Sequence, residues 1–396
     1  MALLHWKFDS LKVKGRLLHI ITGLGTGGAE RALFALLSGG LAKRFDCAVL
    51  SLSDEGTMGA PIRKLGVPVH ALGMRKGLPT PGALLRLRDE LRLLRPDVIQ
   101  GWMYHGNLAA SFAQKLSSNR PRLVWNIRHS LYDLGHEKPF TRHVIRANRT
   151  FSRGPEAIIY NSSLARNQHE RFGLAGRSSV VIPNGFDLSQ WRPDPKGNAT
   201  VRREFGLDSD DLIVGHVARF HPMKDHATFL RAAVEVASRV SNARFLLVGR
   251  EVHLNKPELR GIVPDNLVPR FIFAGEMTNV SRLVQAMDVL CSSSLSEAFP
   301  NVLGEAMASG VPCVTTDVGD CACIVGDTGF VVPSRDAAAL AEAIAALLQM
   351  PREERVDLGA RARDRVASRY GIGTIVGRYS DLYCDLIDYS PGDSAR

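Results

Sequence analysis

At 396 residues the chain is long enough for two or three domains of the usual ~100–200 residues each. An apolar content of 45% against 23% charged residues excludes a disordered or fibrous chain, and without a run of about 18 apolar residues no membrane-spanning helix is expected. The net charge of +10 is unevenly placed: residues 1–185 hold 27 Lys and Arg against 12 Asp and Glu, residues 186–396 hold 23 against 28, and an anionic partner is therefore expected to meet the first half.

The start, MALLHWKFDSLKVKG, lacks an apolar core of the length a signal peptide needs. Short apolar stretches then alternate with longer amphipathic ones from Leu17 to about Ile182, and the expected strands are LLHIIT, CAVLSL, DVIQGW, LVWNIR, AIIY and SVVIP. The alternation restarts near Leu212 with LIVGHVA, RFLLVG, RFIFAG, DVLCSS, PCVTTD and GFVVP. This pattern predicts two doubly wound α/β domains with parallel sheets. The stretch PNGFDLSQWRPDPKGN, rich in Pro, Gly and Asn, reads as the linker, so the domains are expected at 1–185 and 186–372. A helical tail at 373–396 is expected to pack across the first domain and to end in a mobile polar terminus after about Asp388. The cysteines (Cys47, Cys291, Cys313, Cys321, Cys323, Cys384) are scattered, and Cys321-Ala322-Cys323 is too tight for a zinc site. Reduced thiols in a cytoplasmic protein with no bound metal are expected.

The first strand runs into Gly23, Gly25, Gly27 and Gly28, then the helix-starting Ala29-Glu30-Arg31. Gly23, Gly25 and Gly28 satisfy a GxGxxG pattern, which lets backbone approach a pyrophosphate at a helix tip. With Asp54 or Glu55 closing the second strand, the pattern also fits an NAD-dependent enzyme. Further on, ALLRLRDELRLLRP sets Arg86, Arg88, Arg92 and Arg95 among leucines, an amphipathic helix that either covers a sheet or lies on an anionic bilayer. Nucleic acid is not expected as a partner, because the basic residues are not interleaved with stacking aromatics.

In the second half, GHVARFHPMKDH places Arg219 and Lys224 just after a strand, where two cations can neutralise a diphosphate. The strand in AMDVLCSSSLS leads through a serine-rich loop into EAFPNVLGE. Pro300 suits a first helical turn, the amides of Asn301 and Val302 form an anion site at the helix N-terminus, and Glu305 lies about one turn deeper, within reach of ribose hydroxyls. Glu297, before the helix, can face a sugar; the alternative for the two glutamates is a solvated helix with a favourable acidic first turn.

Together these stretches carry a resemblance. GTGGAE, IPNGFD (Ile182 to Asp187), ARFHPMKDH (Ala218 to His226), EAFPNVLGEAMASGVPCV (Glu297 to Val314), TDVGD and GDTGFVVP occur in the order found in retaining glycosyltransferases of family 4, and the chain is similar in particular to bacterial enzymes that build surface polysaccharides. In one departure, Pro300 follows Phe299 where many members have glycine. The resemblance implies the GT-B architecture of two facing Rossmann-like domains, with the acceptor on the first and the donor on the second. It implies that Arg219 and Lys224 bind the donor diphosphate, that Glu305 binds the ribose, and that Glu297 contacts the transferred sugar, with Phe299, Asn301 and Val302 in the same donor set. Gly27 and Gly28 match the loop over the phosphates. His129, in LVWNIRHS, occupies the place of a catalytic acceptor-side histidine; His105 in QGWMYHGN is its rival, and Asn126 and Arg128 share the acceptor side.

The expected reaction is metal-independent transfer of a hexose or N-acetylhexosamine from a UDP-sugar to a hydroxyl of a lipid-linked glycan, with no cofactor and with the protein peripheral on an anionic membrane. A nucleotide-sugar epimerase of similar shape and a non-catalytic sugar-nucleotide-binding protein are the alternatives.

Overall fold

The computed structural model describes residues 15–74, 80–132, 134–136 and 138–388. The N-terminal stretch read for a signal peptide and the polar terminus after Asp388 lie outside them. One unit runs to Gly185 and takes back the chain from Ile372; the other is Phe186–Gly371.

In the first unit the strands are β1 (Arg16–Ile21), β2 (Asp46–Ser51), β3 (Val69–Ala71), β4 (Val98–Trp102), β5 (Arg122–Ile127), β6 (Ala157–Tyr160) and β7 (Ser179–Val181). They form a parallel sheet in the order β3-β2-β1-β4-β5-β6-β7. Six of them are the apolar runs expected from the sequence, and all of these but the half-buried β7 are buried along most of their length. β3 was not expected, since Val69-His70-Ala71 offers neither an apolar run nor an alternation long enough to read. On one face, Leu33 and Leu36 of the helix Gly28–Leu36 share a core with Leu17, Val49, Val98 and Trp102. The C-terminal helix Ile372–Asp388 closes the same core through Ile375, Val376, Tyr379 and Tyr383, which confirms the expected return to the first unit. Polar contacts fix its register: Tyr383 donates its hydroxyl proton to Gln100 Oε1 at 2.6 Å, and Asn126 Nδ2 donates to Tyr379 Oη at 2.7 Å.

The second unit holds β8 (Leu212–Val217), β9 (Ala243–Val248), β10 (Phe271–Gly275), β11 (Val289–Ser292), β12 (Cys313–Thr316) and β13 (Gly329–Val332), parallel in the order β10-β9-β8-β11-β12-β13. Successive side chains enter opposite layers, as the pleat requires. Val289 and Cys291 pack with Phe229, Val236, Leu340 and Ile344 on one side, while Leu290 and Cys313 pack with Leu303, Met307, Ala362 and Val366 on the other.

The stretch read as a linker is mostly exposed or half-buried, but it sets two aromatic anchors into the core. Phe186 donates its N–H to Tyr370 O at 2.9 Å and stacks on Phe299 with ring centroids 6.2 Å apart. The Phe186 ring lies where a Cβ on Gly304 would stand, only 2.1 Å from that position. Trp191 is buried in the same cluster, and a helix begins at Pro195, capped by Asp194. Composition marked the change of unit but hid the two aromatic anchors.

Candidate active site

In both sheets the strand order reverses beside the first strand, at β1/β4 and at β8/β11, and ligands of such folds sit beyond the C-terminal ends of strands at that point.

At the β8 end the chain passes Arg219 and makes one tight turn, Pro222–Lys224, before Asp225 takes a left-handed conformation (φ 45°) and caps the helix His226–Arg239. The Asp225 carboxylate accepts from Thr228 N at 3.3 Å and Thr228 Oγ1 at 2.7 Å. Gly249 makes this path possible: a Cβ there would stand 1.9 Å from Ala218 O. Arg219 is exposed and has no ion-pair partner among the described residues, whereas Lys224 pairs with Glu297 Oε1.

From β11 the serine-rich loop carries the chain to Glu297. The loop is bound to the Lys224 turn, Leu295 donating its N–H to Met223 O at 2.8 Å. Gly319 of the TDVGD stretch supports Glu297 from the other side, with φ 59° and space for a Cβ closed by Glu297 O at 2.1 Å. Pro300 is the N-cap, one position earlier than expected, and the helix is Asn301–Ala308. Asn301 and Val302 are therefore its first two residues, whose N–H groups have no carbonyl partner within the helix. Glu305 follows one turn on, about 6 Å along the axis. Phe299, counted with the donor set, has its ring in the core between Phe186 and Tyr370, so its side chain supports the loop from beneath.

Sequence reasoning missed two histidines that bracket the Arg219–Lys224 turn. His216, on β8, is buried with its ring 4.7 Å from that of His226, stacked at 4.6 Å on Phe229, and its Nδ1 lies 3.0 Å from Cys291 O. Burial lowers the pKa of His226 to about 4 and that of His216 well below the usual value, with the Lys224 charge acting in the same direction on both. Also missed were Ser293 and Ser294, because a hydroxyl in a loop carries no signal until its acceptor is known.

In the first unit, β1 enters the glycine loop and Gly27 is the N-cap of the helix Gly28–Leu36. A Cβ at Gly25 or Gly28 would meet no protein atom within 4 Å, which leaves the loop open to a ligand. At the β4 end Met103 is held at φ 61°, a strained value for a non-glycine residue and the kind concentrated at functional sites. His105 is half-buried, its ring 5.7 Å from Phe140, and burial lowers its pKa. His129 is exposed, two residues beyond the end of β5.

Asn126 and Arg128 are engaged inward. Asn126 is fully buried, and its N–H donates to Asn107 Oδ1 at 3.2 Å. Arg128 donates to Tyr379 Oη at 3.1 Å and to Asn184 Oδ1, with its guanidinium 5.7 Å from the Trp102 ring centre. The structure thus brings Lys224 and Glu297 into contact, sets Arg219 and the start of the Asn301–Ala308 helix at the same sheet edge, and gives Asn126 to the anchorage of the C-terminal helix. Among the described residues no group of three or more His, Cys, Asp or Glu side chains could hold a metal ion.

Comparison with known proteins places this geometry. The family model "Glycosyltransferase Family 4" matches residues 26–190, and "Glycosyl transferases group 1" matches residues 211–350. D-inositol 3-phosphate glycosyltransferase 2 of Catenulispora acidiphila is 32% identical over 277 residues, covering 66% of this chain and 63% of that protein. The UDP-Gal:α-D-GlcNAc-diphosphoundecaprenol α-1,3-galactosyltransferase of Escherichia coli is 24% identical over 212 residues, 52% of this chain and 54% of that one. The chain spans about half the length of the curated relatives it matches. Anabaena HepE, solved in complex with UDP and glucose, has the same fold with a TM-score of 0.77 and 20% identity, over 94% of this chain and 100% of that one. By its motifs, its two parallel-sheet α/β units of GT-B type and both family models, the chain belongs to glycosyltransferase family 4.

Proposed function

We propose that the protein transfers a hexose or N-acetylhexosamine from a UDP-sugar to a hydroxyl group of a lipid-linked glycan, with retention at the anomeric carbon and without a metal. The observation that carries this is the contact of Lys224 with Glu297 at the β8/β11 edge, beside Arg219 and the N-terminus of the Asn301–Ala308 helix. Cleavage of the donor leaves negative charge on the departing diphosphate. Arg219, Lys224 and the helix amides offer fixed positive charge to that group, which needs no reorganisation as the charge grows. Glu305 accepts hydrogen bonds from the ribose and Glu297 from the transferred sugar. On this reading no side chain is a covalent nucleophile, and a donor phosphate oxygen takes the acceptor proton on the face from which the leaving group departs. HepE, of the same fold, was solved with UDP and glucose, which supports the donor class; the Escherichia coli relative's lipid diphosphate substrate supports the acceptor class.

The helix Pro81–Leu94 is the proposed membrane contact. Leu84, Leu85 and Leu93 are exposed there beside Arg88 and Arg92, while Arg86 turns to donate to Leu72 O at 2.6 Å.

The test is a thermal-shift panel of UDP- and GDP-sugars, followed by transfer to lipid-linked acceptors and determination of the product anomer by NMR. Lys224→Ala and Glu305→Ala should each weaken donor binding by about 10-fold or more, as for loss of a hydrogen bond to a charged group. Full transfer with unchanged donor affinity in both variants would refute the site.

A further inference from the structure

The Glu297 carboxylate receives its described contacts on one oxygen. Lys224 Nζ pairs with Oε1, and the Ser294 hydroxyl donates to the same Oε1 at 2.7 Å; Oε2 has no partner among the described residues. Ser294 is 1% exposed, so water does not compete for its hydroxyl, and Thr316 Oγ1 holds its carbonyl at 2.6 Å. Ser293, fully buried, donates to Lys224 O and Asp225 O, both at 3.0 Å. Adjacent serines at the end of β11 thus frame both partners of the ion pair, one through the backbone of the cation and the other through the carboxylate itself.

A lysine alone does not fix a carboxylate. The ammonium is a compact point charge on a flexible stem, and a glutamate side chain paired with it keeps freedom to turn about its last torsion. A second donor of fixed position removes that freedom, and hydroxyl partners of a carboxylate lie near its plane, along the lone-pair directions. We propose that Ser294 is a positioning residue of the donor site, its hydroxyl and Lys224 together holding Oε1 of Glu297 so that Oε2 is the oxygen presented to the transferred sugar. This rests on the reading of Glu297 as the sugar contact.

The test uses the full chain. Ser294→Ala, Glu297→Ala and the double variant are titrated by calorimetry with UDP, UDP-glucose and UDP-N-acetylglucosamine, with kcat and KM measured for transfer and the melting temperature as a control of folding. In Ser294→Ala the affinity for UDP should stay within about twofold, while the preference for the nucleotide sugar over UDP and kcat each fall about 10-fold. In the Glu297→Ala background the serine change should have no further effect, since its action passes through the glutamate. Equal losses for UDP and nucleotide sugar, additive losses in the double variant, or no loss would overturn the proposal. A sugar preference unchanged in Glu297→Ala would instead overturn the reading of Glu297 on which it rests, whereas a change there without one in Ser294→Ala would overturn the positioning role alone.

Discussion

Gly319 shows how one residue without a side chain shapes the charged site. Its φ of 59° suits glycine, and the space beside it is filled by the Glu297 carbonyl, a backbone atom that cannot turn aside as a side chain would. Gly319→Ala must therefore move the loop that carries Glu297. The expected result is a stability loss of about 2 kcal/mol from strain and overpacking, together with weaker nucleotide-sugar binding. Thermal melts and calorimetry check this, and an unchanged melting temperature would contradict the packing described. Residues of this kind were partly legible in the sequence. Arg219, Lys224, Glu297 and Glu305 were singled out because the cation pair, the helix start and the carboxylates converge on one sheet edge and match the family's motifs, although such charges taken alone are more often solvated surface. Asn126 was placed on the acceptor side because it shares a strand with His129; its partner Tyr379 lies 253 positions away, and no local pattern joins them.

At the scale of elements, the helix Pro81–Leu94 is typical of what periodicity can and cannot say. Ala83, Leu87 and Leu91 face the core at helical spacing, as an amphipathic helix over a sheet requires, yet Leu93 is 74% exposed on the same element. If that outer edge meets a bilayer, Leu85→Glu with Leu93→Glu should abolish flotation with vesicles containing anionic lipid and leave the melting temperature nearly unchanged. Equal flotation of variant and parent would remove the membrane assignment. The twelve strands found from the sequence were visible because they read as apolar runs, most of them buried along their length, although β7, β10 and β13 are largely half-buried. β3 was hidden because Val69-His70-Ala71 is neither an apolar run nor a readable alternation, and the exposed Leu93 cannot be told from its buried neighbours until the helix has a partner.

Four buried histidines couple the whole molecule to pH. Burial lowers His19 to about 3, His169 and His226 to about 4, and His216 well below its ordinary range, all from a usual value of 6.5. Each is neutral in the fold and takes up a proton on unfolding at acid pH. The stability they confer is therefore complete above pH 6.5 and falls as the pH drops through the interval toward 4, by about 1.4 kcal/mol per pH unit for each unmatched proton. The melting temperature should decline steeply between pH 6.5 and 5, before ordinary carboxylates titrate, and a flat profile there would show that these rings are not neutral and enclosed. The C-terminal helix has a different consequence, for the order in which the chain can mature. Tyr379 and Tyr383 complete a core whose strands begin at Arg16, so the first unit leaves the ribosome with one wall of its interior still unsynthesised. The second unit, continuous from Phe186 to Gly371, has no such debt to later sequence. The half that is made first can therefore close its core only after Tyr383 has been made.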